Sequence, residues 1–250
     1  MIDGVRVIDF HGHVGANDIM GMVDDPDLML HTMDSCGIDV SCVFNIYYPD
    51  GTTGNDMTAR FVARHPDRFV GFAYVCPLMP ADSMVAELER AIDDLGLVAI
   101  KLYPPFVHWS LEHPIWDPIY EFANERELAL IHHTGTEWQA YPKFLGDVAP
   151  RFPKVNFVSG HSGNTPVERA QAIAAARAND NVYLETCSTF RTPGVIEQLV
   201  EEGGADRVLF GSDTPLMDPR PQLGKIITAR ISDEAKRLAL GGNAARILGI

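Results

Sequence analysis

His11 and His13, separated by one glycine, close the run Val5-Arg6-Val7-Ile8-Asp9-Phe10-His11-Gly12-His13. The β-branched start of that run reads as a buried strand. Alternation along a strand puts the two imidazoles on one face, with Phe10 and Gly12 on the other. Paired imidazoles at a strand's C-terminal end are able to grip one metal ion, and Gly12 lets the backbone bend or a ligand come close. Three more residues of the same chemistry occur further on: His133, His161 in Ser-Gly-His-Ser-Gly, and Asp213 in Gly-Ser-Asp-Thr-Pro. Each has a bland reading as well. His161 alone could bond a loop carbonyl, and Asp213 alone could form an Asx-turn or cap a short helix.

What would bring residues up to 200 positions apart together is a repeating architecture. Apolar strand-like runs are expected within 5–13, 40–46, 69–75, 97–103, 128–133, 155–159, 182–186 and 208–211. Helical spacing falls between them, over 26–36, 55–65, 80–95, 115–126, 141–151, 167–178 and 194–202, and Ser232 caps a last helix whose first turn carries Asp233 and Glu234. Gly37 supplies a C-cap after the first of these. Eight strands alternating with helices, without repeat or low-complexity tract, predict an α/β fold: one (β/α)8 TIM barrel filling residues 1–250 as a single domain. An open doubly wound sheet would usually carry a Gly-rich phosphate loop after its first strand, and none is present. The helix-to-strand links are short and polar, such as Pro66-Asp67-Arg68, while the strand-to-helix links are longer and hold His, Trp, Tyr and Arg. Barrel enzymes build their sites on the second set, where His11, His13, His133, His161 and Asp213 would surround one axis. Imidazole nitrogen and carboxylate oxygen suit a divalent transition metal such as zinc.

Composition narrows the partners. Of 250 residues 46% are hydrophobic and 22% charged, and 20 lysines and arginines against 34 acidic residues leave a net charge of −14. So acidic a surface repels phosphate backbones and anionic lipid, which argues against nucleic-acid and membrane partners and for a small-molecule substrate. A homo-oligomer stays open. No apolar run approaches the ~20 residues of a membrane helix. The N-terminus, with Asp3, lacks the pattern of a secretory signal. Cys36, Cys42, Cys76 and Cys187 are scattered without Cys-x-x-Cys spacing and read as small core residues in a reducing compartment, which implies the cytoplasm.

Read in order, Ile8-Asp9-Phe10-His11-Gly12-His13, Ile131-His132-His133-Thr134-Gly135, Phe157-Val158-Ser159-Gly160-His161-Ser162-Gly163 and Val208-Leu209-Phe210-Gly211-Ser212-Asp213-Thr214-Pro215 resemble the successive motifs of the amidohydrolase superfamily. The branch they are most similar to is the amidohydrolase-related group that includes aminocarboxymuconate-semialdehyde decarboxylase and resorcylate-type decarboxylases. Arg64-His65-Pro66-Asp67-Arg68-Phe69, Ile100-Lys101-Leu102 and Gly241-Gly242-Asn243-Ala244-Ala245-Arg246 carry the same likeness, which spans essentially the whole chain. The resemblance implies that His11, His13, His133 and Asp213 ligate one divalent metal, zinc first, with manganese or another divalent ion as alternatives. It implies that His161 acts beside them as acid/base. Of the adjacent His132 and His133 only one can face inward, and the family pattern, with its ligand directly before Thr-Gly, selects His133 and turns His132 towards the helices.

Lys101 is open to two roles. In two-metal members of the superfamily a strand-four lysine is carboxylated and bridges two ions; in the single-metal branch it touches substrate or pairs with a carboxylate such as Glu185. The single-metal role is the expectation adopted. His108 and Trp109, on the loop after strand four, are candidates to line the pocket, and Arg191 is a candidate anchor for a substrate carboxylate. His31 and His65 belong to helices and read as structural.

A metal takes bound water from a pKa of about 15.7 to about 7, worth roughly 12 kcal/mol, which makes hydrolysis of an ester, lactone or amide the first expectation, with His161 and Asp213 handling protons. The alternative is non-oxidative decarboxylation of a small unsaturated or aromatic acid by the same residues. A barrel that binds metal or ligand without turnover would be expected to lack one of these groups, and none is missing.

Overall fold

Hydrophobic strands alternating with amphipathic helices close on themselves in this chain, as a computed structural model describes it for residues 4–16, 21–188 and 192–250. In order the elements are β1 (Ile8–His13), α1 (Pro26–Cys36), β2 (Val40–Phe44), α2 (Thr52–Val62), β3 (Phe69–Tyr74), α3 (Ala81–Glu89) and β4 (Ala99–Leu102). Then come α4 (Asp117–Glu125), β5 (Ala129–His133), α5 (Lys143–Val148), β6 (Asn156–Gly160), α6 (Pro166–Ala178), β7 (Val182–Glu185) and α7 (Val195–Gly203). The chain ends with β8 (Val208–Leu209), α8 (Pro219–Thr228), α9 (Asp233–Arg237) and α10 (Asn243–Leu248). The eight strands are parallel and lie in sequence order in one sheet. Phe10 N–H donates to the Phe210 carbonyl (2.8 Å), Asp213 N–H to His11 (2.8 Å) and His13 N–H to Thr214 (2.7 Å), which joins the last strand to the first. The fold is a single (β/α)8 barrel.

Both faces of a parallel barrel are covered, so its strands are buried throughout, as every residue of β1, β2, β4 and β7 is. Helix entry follows local chemistry. At α1 the Asp25 carboxylate accepts from the N–H groups of Asp27 and Leu28 (3.0 Å each), Pro26 occupies the first turn, and Gly37 closes the helix at φ 74°, a conformation that a side chain would strain.

Four details depart from the sequence expectation. The register of β1 against β2 shifts between Asp9 and Gly12, which interrupts strict alternation. Phe10 therefore does not simply oppose the histidines: its ring meets Phe72 edge-on at 5.2 Å, and Phe72 stacks on Phe44 at 6.1 Å. The helix read over 80–95 is α3 followed by a π-helical turn over Arg90–Asp94, and the last helix is broken by a second such turn over Leu238–Gly242. The helix α8 was not anticipated; Asp218 caps it by accepting from Arg220 N–H at 3.0 Å, with Pro219 in its first turn. Among the described residues no helix is long and apolar enough to cross a membrane.

Candidate active site and metal centre

Strand ends and the turns after them deliver the polar residues to one cavity of about 450 Å³. Its floor holds His11, His13, Lys101, His133, His161 and Asp213. Its upper wall is largely apolar, with Ile46, Tyr47, Tyr103, Phe106, Leu216 and Met217. The backbone holds two of these residues in a form that only a few per cent of non-glycine residues adopt: φ is 65° at His161 and 69° at Asp213. Local bonds hold them there. His161 N–H donates to Glu185 Oε2 (2.9 Å), the Ser162 hydroxyl to the Glu185 carbonyl (2.8 Å), and Asp213 N–H to the His11 carbonyl. Asp9 ties the two ends of the barrel together from below. Its Oδ1 accepts from the N–H of His11 (3.1 Å) and of Ser212 (2.9 Å), and its Oδ2 from the Ser212 hydroxyl. Burial pushes the Asp9 carboxyl up to about 7, against those bonds.

His11, His13 and Asp213 form the tightest group. Asp213 Oδ1 lies 2.8 Å from His13 Nε2 and 3.4 Å from His11 Nε2. Donors about 2.0–2.1 Å from one zinc ion in a tetrahedral site stand about 3.3 Å apart, so this donor set fits a bound divalent metal. Glu185 organises the back of the group, because its Oε2 is 3.0 Å from His11 Nδ1. With Nδ1 donating to that carboxyl oxygen, the Nε2 lone pair faces the cavity, where Lys101 Nζ stands 3.2 Å away.

His133 stands with His161 rather than in the tightest group. Its Nδ1 is 2.9 Å from His161 Nε2, a separation that suits two donors on one ion or a single hydrogen bond. His132 points the other way. It is fully buried, stacks on Phe157 (5.8 Å) and sits 3.1 Å from the Tyr120 hydroxyl of α4. Since Tyr120 OH donates to the Leu111 carbonyl (2.9 Å), its oxygen accepts from His132 Nε2.

Lys101 is fully buried at the base, with Nζ 3.2 Å from His11 Nε2 and 4.5 Å from the centre of the Phe44 ring. Burial draws its pKa down to about 8, against the attraction of Asp213 and Glu185. Glu185, weighed from sequence as a partner for Lys101, instead meets His11 and the His161 backbone directly. Desolvation pushes the Glu185 carboxyl up to about 8. Burial lowers the imidazoles: His161 falls to about 3, with His133 adding to the effect, and His11 and His13 fall as well. Burial opposes ionisation of Asp213, but His11, His13 and His161 outweigh it and hold that carboxyl well below the usual range. At pH 7 the floor therefore presents neutral imidazoles around an ionised carboxylate.

The other candidates separate. His108 is exposed and Trp109 packs on His113 (6.0 Å); neither lines the cavity. The loop after β4 turns inward at Tyr103 and Phe106 instead, because Val107 and Leu111 are buried beneath it and fix its outer half. Arg191 lies outside the described residues. Two residues passed over as site members do stand here. Cys187 groups with His11, His161 and Glu185, its thiol pushed well up by burial, and Ser188 donates to Asp213 Oδ2 at 3.3 Å. The signal for Glu185 was available: a carboxylate at the end of an otherwise apolar strand.

The amidohydrolase family matches residues 8–250. The chain belongs to that family. Among curated amidohydrolase relatives, the gamma-resorcylate decarboxylase of Rhizobium radiobacter is 27% identical over 246 residues, covering 78% of this chain and 74% of its own. The 2-keto-4-carboxy-3-hexenedioate hydratase of a Sphingobium species is 28% identical over 194 residues, 64% of this chain and 56% of its own. In fold, the crystal structure of a Polaromonas dihydroxybenzoic acid decarboxylase with bound manganese and the inhibitor 2-nitroresorcinol superposes with a TM-score of 0.77 at 19% identity, over 98% of this chain and 97% of that one. This amidohydrolase is thus an enzyme whose named relatives carry out lyase chemistry.

Proposed function

We propose that this enzyme is a metal-dependent, non-oxidative decarboxylase of a small aromatic or unsaturated carboxylic acid. The observation that carries the reading is the layering of the cavity. Cationic Lys101 and the imidazole–carboxylate group lie at the floor, and Tyr47, Tyr103 and Phe106 line the wall above. A planar acid fits it with its carboxylate down and its ring between aromatic side chains. Hydrolysis, the first expectation from sequence, gives way because the curated relatives named above are a decarboxylase and a hydratase.

His11, His13, His133 and Asp213 are the residues proposed to hold one divalent ion, zinc or manganese. When bound it supplies positive charge for the substrate's carboxylate and the oxygen next to it. Lys101 adds a second positive charge at the floor, uncarboxylated in this reading. The apolar wall solvates a charged carboxylate poorly, which favours dispersal of its charge as the carbon–carbon bond breaks. The electron pair of that bond remains on the substrate carbon, His161, neutral at rest, takes a proton from solvent and passes it there, and CO2 leaves. Asp213, held ionised, steadies the positive charge that His161 carries while it holds the proton. Its four free cysteines favour a reducing compartment, and we place the enzyme in the cytoplasm.

The test is to incubate the metal-loaded protein with hydroxybenzoates on one side and aryl esters and lactones on the other, following CO2 and acid release. CO2 from the acids supports the reading. Ester or lactone cleavage without CO2 restores hydrolysis, and water addition to an unsaturated acid with every carboxylate retained would make it a hydratase.

A further inference from the structure

Arg169, in the first turn of α6, is 7% exposed, the one arginine buried to that degree among the described residues. Its Nε donates to Gln198 Oε1 on α7 at 2.8 Å, and the Gln198 amide nitrogen is tied in turn to Glu202 at 3.0 Å. A neutral amide therefore aims the guanidinium, which has no carboxylate partner among the described residues. The more exposed Arg68, Arg90 and Arg126 each have one. Desolvating a cation without a counter-charge is costly, and a chain of net charge −14 is not short of carboxylates.

Arg169 faces a second cavity of about 430 Å³, which Thr136, Asn164, Thr165 and Ser188 also line. Asn164, Ser188 and Met217 line this cavity and the main one alike, so the two adjoin over these three residues. The N-terminus of the 13-residue α6 reaches the same space through Thr165 and Pro166. Thr165 makes no side-chain cap bond to the helix, its hydroxyl being bonded to Glu168. The N-terminus of α6, whose first turn also carries the Glu168 carboxylate, and a guanidinium without a carboxylate partner among the described residues thus meet in one cavity beside the active site.

We propose that this cavity is a subsite for a second carboxylate of the substrate, held by Arg169 at the N-terminus of α6, so that the enzyme prefers dicarboxylic acids. The proposal rests on the decarboxylase reading for the carboxylate bound at the floor. Arginine suits the task because its planar fork takes a carboxylate through two parallel bonds.

The test is calorimetric binding to the metal-loaded protein of benzoate against isophthalate, terephthalate and trans,trans-muconate. A charge-assisted pair of this kind gives at least one diacid roughly a 10- to 100-fold tighter Kd than benzoate. The preference should fall to near unity in Arg169→Met, which keeps the alkyl stem, and survive in part in Arg169→Lys. Thr136 is exposed, so Thr136→Glu adds a repelling charge without risk to the core and should lower the diacid-to-benzoate ratio even if Arg169→Met fails to fold. Diacids that bind no tighter than benzoate, or a ratio unchanged in these variants, would overturn the subsite. CO2 release is scored separately on the same panel. Arg169-dependent diacid binding without CO2 supports the subsite and removes the decarboxylase reading; CO2 from mono-acids with no diacid preference does the reverse.

Discussion

Glu185 Oε2 lies 3.0 Å from His11 Nδ1, and the two side chains are among the least exposed in the molecule. The carboxylate decides which nitrogen of His11 faces the cavity, and it also accepts the N–H of His161. One residue of β7 thus orients groups from β1 and β6. Replacing it with glutamine keeps the shape and exchanges one carboxyl oxygen for an amide NH2, which cannot accept. In Glu185→Gln, metal affinity should fall 10- to 100-fold, the usual cost of losing such a partner. Competition against a chelator measures it, and an unchanged Kd would mean that His11 does not depend on this bond.

Ligand and proton carrier separate by mutation. His11→Ala should lose metal and activity together. His161→Asn should keep the metal but lose roughly 10²–10⁴ in kcat, the contribution of a positioned proton-transfer group, along with one limb of the pH–rate profile. Because His161 Nε2 is only 2.9 Å from His133 Nδ1, metal content is the decisive reading. Loss of metal in His161→Asn would make His161 a ligand, and full activity would make it a bystander.

The adjacent pair on β5 should divide the same way. His133→Ala is expected to empty or severely weaken the metal site, while His132→Ala keeps the metal and loosens packing between β5 and α4. Stability adds a pH signature. His132 is held neutral in the folded state, its pKa drawn down to about 3 by burial and the Lys101 charge. An unfolded histidine titrates near ~6.5. Between those values the unfolded chain binds more protons, so stability rises with pH and is lost as pH falls through this window. In His132→Phe the slope of unfolding free energy against pH should flatten by up to about 1.4 kcal/mol per pH unit between pH 4 and 6. An unchanged slope would show that His132 is not buried as a neutral group.

Lys101→Ala should leave close to one equivalent of metal per chain and no dependence of reconstitution on CO2. Two equivalents in the unmodified protein, restored only with CO2, would instead make Lys101 a carboxylated bridge.

Much of this site could be read from the chain because strand ends are short and periodic: His132 and His133 of β5 take opposite facings from alternation, and His11 and His13 stand out as a pair at the end of an apolar run. Side chains on longer loops were harder. His108 and Trp109 lie on a segment whose path depends on the burial of Val107 and Leu111, which no local pattern encodes. The bulge in β1 is not legible in the sequence, because it depends on the register of β2. Pro215, Pro219 and Pro221 obscure the helical pattern of α8, although Asp218-Pro219 is a regular N-cap and first-turn signal. Arg169 carries no local signal, because its setting depends on Gln198 of α7.

Decarboxylation is tested most directly by where a proton ends up. With metal-loaded enzyme and a 2,6-dihydroxybenzoate-type acid in D2O, proton NMR should show one deuterium at the carbon that carried the carboxylate, with one CO2 released for each product formed. A product that keeps its carboxylate, or an acid returned without CO2 and without deuterium while esters are cleaved, would contradict it.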